Sequence, residues 1–274
     1  MNSYLATLNA TARNSLVTMS KKRFDDVYYG LVVDAYELFH PEGNLNDVPF
    51  YAELIRQRPG RVLELMCGSG RVLLPLLRQG FTVDGTDSSP EMLARCKSNA
   101  EAEGLNPELY EQFAHELRLS HRYCTILLTY SSFALLTHRD EAFEVLRFIH
   151  AHLEEGGQFL LDMAIPWVHH NSVFGAWQLS RQGVLPNGRS VLVSRAATVE
   201  HLNQIETVHV RYEVYDEGCL IETLLTPMKM RFYGMHELIL LLEKAGFSNI
   251  QTFGGFQQRE VQEGDGIITF QCFK

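Results

Sequence analysis

Glu64, Gly68, Gly70 and Asp87 are the residues of this 274-residue chain whose types and spacing suit them to hold a ligand. Residues 62–71 read Val-Leu-Glu-Leu-Met-Cys-Gly-Ser-Gly-Arg, an apolar run that ends in a Cys-Gly-Ser-Gly turn. Glycines at such a turn let a ligand approach the backbone, where a side chain would hold it off. Glu64 sets the sign of the charge: a carboxylate beside the turn repels a pyrophosphate and attracts a cation. Asp87 lies 17 residues after Gly70, where an acid that accepts ribose hydroxyls is expected in this geometry.

The elements around these residues follow from periodicity and stop signals. A strand at 61–66 enters the turn, and Val72, Leu73, Leu76 and Leu77 continue it as an amphipathic helix. Further strands are expected at 81–86, about 108–113, about 123–129 and 158–164, with a helix at 139–154 stopped by Gly156. The helix after Asp87 carries Ser89 as N-cap, Pro90 at its first position, Glu91 in its first turn and Gly104 past its end. Residues 167–232 break this rhythm with alternating runs separated by Pro186-Asn187-Gly188, His201-Leu202-Asn203 and Asp216-Glu217-Gly218. Those runs predict three or four antiparallel strands. A helix at 234–245 and strands at 247–253 and 267–273 follow. The fold class is therefore α/β, a Rossmann-like seven-stranded sheet with helices on both faces plus an inserted antiparallel β region. The expected division is a helical cap (1–57), a main domain (58–166 and 233–274) and the insertion (167–232).

Glu64-x-x-Cys67-Gly68-Ser69-Gly70 resembles the first motif of the class I S-adenosylmethionine-dependent methyltransferases. Three more segments resemble that family in the right order. They are Val83 to Leu93 (strand, acid, helix), Leu153-Glu154-Glu155-Gly156-Gly157 (turn into strand five) and Glu237-Leu238 through Ala245-Gly246-Phe247. The likeness is nearest to the small-molecule branch that methylates glycine-like amines or amino sugars. It implies S-adenosyl-L-methionine as cofactor and an in-line methyl transfer, by position rather than by strong acid–base chemistry. Within it Glu64 organises the turn or the cofactor's ammonium, and Met66, Cys67, Gly68 and Gly70 form the loop. Asp87 and Ser88 face the ribose, Met92, Ala114 and His115 the adenine, and Thr129 and Tyr130 the methionyl group. Tyr29 and Tyr36 are expected to cap the reaction centre. His138, after strand four, is a candidate base, as are His169 and His170. The insertion is expected to form a lid or a homodimer surface.

Each assignment has a plainer counterpart. Glu64 can cap a helix dipole, Asp87 can be a turn residue, Met92 can be core, and Tyr29 and Tyr36 can be packing aromatics. Four positions depart from the family pattern, one of them Glu155 in place of a proline. Met66 replaces a glycine and must adopt an ordinary conformation or bear strain at φ > 0. Phe113 and Cys124 stand where the family often has acids. A dehydrogenase fingerprint would want a glycine at Leu73.

Composition narrows the substrate. The net charge is −9, and the single basic cluster is Lys21-Lys22-Arg23, which disfavours nucleic acid. No apolar run approaches the ~20 residues that span a bilayer, and the first 20 residues lack a signal peptide's apolar block. Five cysteines, odd in number and without C-x-x-C spacing, read as reduced thiols of a cytoplasmic protein. Adjacent His169-His170, and His150 and His152, do not share faces suited to a metal. The expectation is a small-molecule N-methyltransferase with no metal and no membrane or nucleic-acid partner. O- or C-methylation of a natural-product scaffold, or cofactor binding without turnover, remain as alternatives.

Overall fold

Val62–Leu65 (β1) is buried on both faces, as a strand flanked by parallel neighbours should be. A computed structural model describes residues 28–41, 43, 45–165 and 175–274. β2 (Val83–Asp87), β3 (Leu109–Glu111), β4 (Tyr123–Leu128) and β5 (Leu153–Ala164) share a sheet with β1. That sheet also contains the last two strands, β10 (Ser248–Gly254) and β11 (Ile267–Phe273). Its order is β10-β11-β5-β4-β1-β2-β3, with β11 antiparallel to both neighbours and the rest of the order from β5 to β3 parallel. All seven expected strands are present and the class I arrangement is the one observed. The chain order reverses between β1 and β4, so a crevice opens beyond their C-terminal ends, where open α/β sheets place ligands.

β5 begins at Leu153, five residues before the expected 158, because the Gly156-Gly157 turn stays in the sheet with a register shift against β4. Only glycine fits at 157: a Cβ there would lie 2.9 Å from the Glu154 carbonyl and 3.1 Å from that of Tyr123. Helices α1 (Leu31–Phe39), α2 (Asp47–Arg56), α3 (Leu73–Arg78), α4 (Pro90–Ala102), α5 (Arg139–His152) and α6 (Met235–Ala245) accompany the strands. The caps of α4 are as expected: Ser89 Oγ accepts the Met92 N–H at 3.2 Å, and Pro90 is the first residue.

Four strands form a second, antiparallel sheet in the order β6 (Gln178–Val184), β7 (Ser190–Glu200), β8 (Ile205–Asp216), β9 (Cys219–Arg231). Its three turns fall on the three segments named from sequence. Val191, Val193, Val208, Val210 and Val214 bury one face of this sheet against Leu31, Leu38 and Phe39 of α1. The same helix is tied to α4 on its other side. Arg95 pairs with Asp34 at 2.6 Å and with Glu37, and Asn99 donates to Glu37 at 2.7 Å. α1 thus joins the two sheets.

The five cysteines are unpaired, with Cys67, Cys96 and Cys272 buried. Among the described residues no helix is long and apolar enough to cross a membrane, and no cluster of His, Cys, Asp and Glu converges as a metal site would need. The expectations for the Lys21-Lys22-Arg23 cluster, His169 and His170 lie outside the described residues.

Candidate active site

The glycine turn after β1 uses its two glycines differently. Gly68 (φ 56°) borders a cavity of about 960 Å³, and a Cβ built on it meets nothing within 4 Å, so any side chain would enter the cavity. Gly70 (φ 90°) faces inward instead: its Cβ would lie 2.8 Å from Cys96 Sγ and 2.8 Å from Leu74 Cγ. Gly70 is therefore a packing glycine, and Cys67 likewise turns its side chain into the core rather than toward the cavity. Met66 adopts φ 54°, the strained alternative that its lack of a glycine implied. A non-glycine residue in the left-handed region costs about 1–2 kcal/mol, and here it aims the Met66 side chain at the cavity.

Asp87 holds the turn from the end of β2. Its Oδ2 accepts the Gly68 N–H at 2.8 Å and its Oδ1 accepts the Ser89 N–H at 2.8 Å. Burial raises its pKa, while the N–H groups of Ser89, Gly68 and Ser88 pull it down. Ser88, Met92, Ala114 and His115 continue this wall of the cavity, with the Phe113 ring 5.5 Å from that of His115. All four were expected here.

Behind the cavity lies a buried set of charges. Glu64 is 2% exposed; its Oε1 accepts the Thr129 hydroxyl at 3.0 Å, and its Oε2 has no hydrogen-bond partner. Burial pushes its pKa up to about 8 against the opposing pull of Arg71 and Thr129. Glu64 and Thr129 sit behind the wall, not on it. The Arg71 guanidinium pairs with buried Asp47 at 2.7 Å and lies 5.0 Å from the centre of the Tyr130 ring. Asp162, also buried, completes the set. Two carboxyl groups, Asp47 and Glu64, thus lie near one guanidinium, an imbalance that a cation nearby would offset.

Tyr130 and Ser131, just past β4, take two consecutive left-handed conformations, φ 58° and 55°. Strain of this kind costs about 1–3 kcal/mol per residue and persists only where the surroundings enforce it. Asp162 enforces it: Oδ2 accepts the Tyr130 N–H at 2.7 Å and Oδ1 the Ser131 N–H at 2.8 Å. Hydrogen bonds to a charged group contribute about 1.5–3 kcal/mol each, enough to offset the strain. The Tyr51 hydroxyl donates to the same carboxylate at 2.6 Å.

The turn places Tyr130 in an aromatic cluster. Its ring centre lies 6.5 Å from Tyr36 and 5.2 Å from His40, and Tyr36 is 5.7 Å from Tyr28. His40 Nδ1 lies 2.8 Å from the Tyr36 carbonyl oxygen and so carries the proton that it donates. Burial holds the His40 pKa down to about 4, which keeps the ring neutral. Burial likewise pushes the Tyr36 phenol up to about 12 and that of Tyr28 higher still. Both are neutral phenols at physiological pH, not bases.

Tyr28, not Tyr29, borders the cavity beside Tyr36. The pair is offset by one residue from the expectation because α1 starts only at Leu31 and leaves Tyr28 ahead of the helix, with its carbonyl accepting from Ser89 Oγ at 2.8 Å. The far half of the cavity is built from the N-terminus of α5, with His138 and Arg139, and from the accessory sheet, with Glu200, Asn203, Lys229 and Arg231. His138 is exposed at this rim, where sequence placed it. Arg71, Asp162, His40 and Tyr28 were not singled out from sequence. Asp162 was findable, since it lies near the C-terminal end of a strand, on the side where this fold places ligands, and Arg71 directly follows Gly70.

The fold is the Rossmann-like arrangement seen in class I methyltransferases, with its cleft at the crevice beside β1. Residues 62–157 match a family described as a methyltransferase domain. A protein of Geobacillus sp. (strain WCH70), named as a methyltransferase, is 31% identical over 108 residues, 39% of this chain and 44% of that protein. The matched stretch thus spans less than half the length of that relative. A shorter match, 50% identical over 46 residues, covers 17% of this chain and 10% of a 23S rRNA (uracil-C5) methyltransferase of Shewanella amazonensis. Among solved structures, an S-adenosylmethionine-dependent methyltransferase of Clostridium acetobutylicum superposes with a TM-score of 0.75. The two are 17% identical, and the overlap covers 87% of this chain and 96% of that one. The sugar N-methyltransferase KedS8 of Streptoalloteichus sp. gives 0.68 at 16% identity, covering 89% and 93%. At these identities the structural likeness speaks for the fold.

Proposed function

We propose that this protein transfers a methyl group from S-adenosylmethionine to a nitrogen of a small metabolite, an amino sugar or related amine. One observation carries the cofactor: a buried carboxyl oxygen without a partner, Glu64 Oε2, stands behind a glycine turn whose Gly68 leaves open cavity where a side chain would be. An orphaned buried acid is costly unless a cation compensates it. The residues present therefore fit the group, with Glu64 and Gly68 toward its charged end and Asp87, Met92, Ala114 and His115 toward its nucleoside. When bound, the cofactor supplies a methyl carbon already activated by a sulfonium leaving group.

The chain's own task is then to position and to exclude water. Tyr28, Tyr36 and Tyr130 present aromatic faces, and the phenols of Tyr28 and Tyr36 are neutral. Such faces attract a cation by about 0.5–2 kcal/mol without a counter-charge that would compete for the acceptor. α1 and the accessory sheet act as a lid, bringing the acceptor against this cluster from the side of β9. A neutral amine needs no strong base there. The sugar N-methyltransferase neighbour and the net charge of −9 support a small, amine-bearing acceptor over nucleic acid. Methylation of a hydroxyl would instead need a base, and His138 is the imidazole at the acceptor rim available for it.

Calorimetric titration with S-adenosylmethionine, S-adenosylhomocysteine and NAD tests the cofactor. Micromolar binding of both sulfur ligands and none of NAD is expected, whereas absence of both removes the proposal. A methyl-transfer screen of amines against alcohols then decides the atom.

A further inference from the structure

We infer that Asp162 is a positioning residue: by holding the Tyr130–Ser131 turn, it sets the Tyr130 ring so that the aromatic cluster discriminates the cationic cofactor from its neutral thioether product. The inference rests on the S-adenosylmethionine reading above. Asp162 is 1% exposed near the C-terminal end of β5 and makes no ion pair among the described residues. Its charge is met by hydrogen bonds alone, from Tyr51, from the two turn N–H groups and, at 3.5 Å, from the Ser131 hydroxyl. A carboxylate buried in this way brings desolvation cost that an apolar residue would avoid, so stability alone is a poor reason for it.

The geometry supplies a better one. Two successive N–H groups in left-handed backbone form a small anion-binding concavity, and the Asp162 carboxylate fills it. Released from it, a tyrosine and a serine have no reason to remain at φ 58° and 55°. The Ser131 hydroxyl shares the brace, accepting the Ala164 N–H at 2.8 Å. Tyr130 is the ring on which the cluster converges: Tyr36, His40 and the Arg71 guanidinium all pack on it. A shift of the turn therefore alters the face shown to a cation while leaving Gly68, Asp87 and Met92, on other elements, in place.

The test is the affinity of Asp162→Asn for S-adenosylmethionine and for S-adenosylhomocysteine by calorimetry, with amide exchange of Tyr130 and Ser131 on the same samples. The expected result is about a tenfold loss for S-adenosylmethionine, less than about threefold for S-adenosylhomocysteine, and faster exchange at both amides. Tyr51→Phe is the control for packing: it removes one donor to Asp162 but leaves the turn bound, so the ratio of the two affinities stays within about threefold whatever happens to Tm. Equal weakening of both ligands by Asp162→Asn, or an unchanged ratio, overturns the inference. Should Asp162→Asn fail to fold, Tyr130→Leu keeps the carboxylate and its N–H partners but removes the ring. It must lose the same discrimination, and a preserved ratio refutes the proposal. Wild-type protein that binds neither ligand refutes the cofactor reading instead.

Discussion

Glu64→Gln changes one buried oxygen to an amide and should remove a pH dependence from the protein's stability. A glutamate's ordinary pKa of 4.5 is carried to about 8 in the folded chain, chiefly by burial. Each tenfold change in proton affinity corresponds to about 1.4 kcal/mol, so complete ionisation of Glu64 costs the folded state about 5 kcal/mol. The folded state binds the proton more tightly than the unfolded chain, so the stabilisation is fully present below pH 4.5. It is lost progressively as pH rises, until about pH 8. The amide mimics the protonated acid and can still accept from Thr129, so the variant keeps that stabilisation at every pH. Urea unfolding of wild type and variant between about pH 5 and 8.5 should therefore give diverging curves. The gap grows by about 1.4 kcal/mol per pH unit up to about pH 8, the variant being the more stable at high pH. S-adenosylmethionine should reverse the ranking, because an ionised Glu64 is what a cation rewards. Parallel pH profiles would refute both the raised pKa and the account of Glu64 as a carboxyl waiting for a cation.

Gly68→Ala places a methyl in the cavity and a side chain at φ 56°. It should weaken cofactor binding at least about tenfold while costing only about 1–2 kcal/mol of stability. Gly70→Ala should do the opposite, losing about 2–4 kcal/mol in urea unfolding through its contacts with Cys96 and Leu74. Asp87→Ala frees the Gly68 and Ser89 N–H groups and should weaken S-adenosylhomocysteine binding markedly with the far-UV circular dichroism unchanged; an unaltered affinity removes Asp87 from the site. Tyr36→Phe keeps the ring and its packing, so turnover of an identified acceptor should fall more than cofactor affinity. A fully active variant would leave Tyr36 as packing.

The seven-stranded sheet was legible because each strand carries its own signal in composition and each boundary a glycine, a proline or a cap such as Ser89-Pro90. The second sheet was legible for the same reason, through three turn segments of fixed chemistry. Asp87, Ser88, Met92, Ala114 and His115 line the cavity, a placement that follows from chain distance along a regular βαβ frame. The failures come from side chains whose direction the pattern does not encode. Cys67 and Gly70 sit in the motif yet face the core, since successive residues of a tight turn point in opposite directions. Tyr28 displaced Tyr29 because both precede α1, so the helical spacing that pairs Tyr29 with Tyr36 does not hold there. Asp162 and Arg71 stand at legible positions, near a strand's end and after Gly70, but what they do there depends on long-range partners, Tyr51 and Asp47, that local spacing does not name.

The chain leaves the main sheet after β5 and returns to it at α6, having built most of the far wall of the cavity on the way. Glu200, Asn203, Lys229 and Arg231 all belong to that single excursion, while Gly68, Asp87 and Met92 belong to the frame. On the proposed function, the residues that face the acceptor come largely from this stretch of sequence, with His138 and Arg139 of α5 beside them, and those that face the cofactor come from the frame. Such a layout can be exchanged as a cassette. Grafting residues 178–231 from a relative, together with the α1 face that seats them, should transfer substrate preference without rebuilding the methyl-donor half.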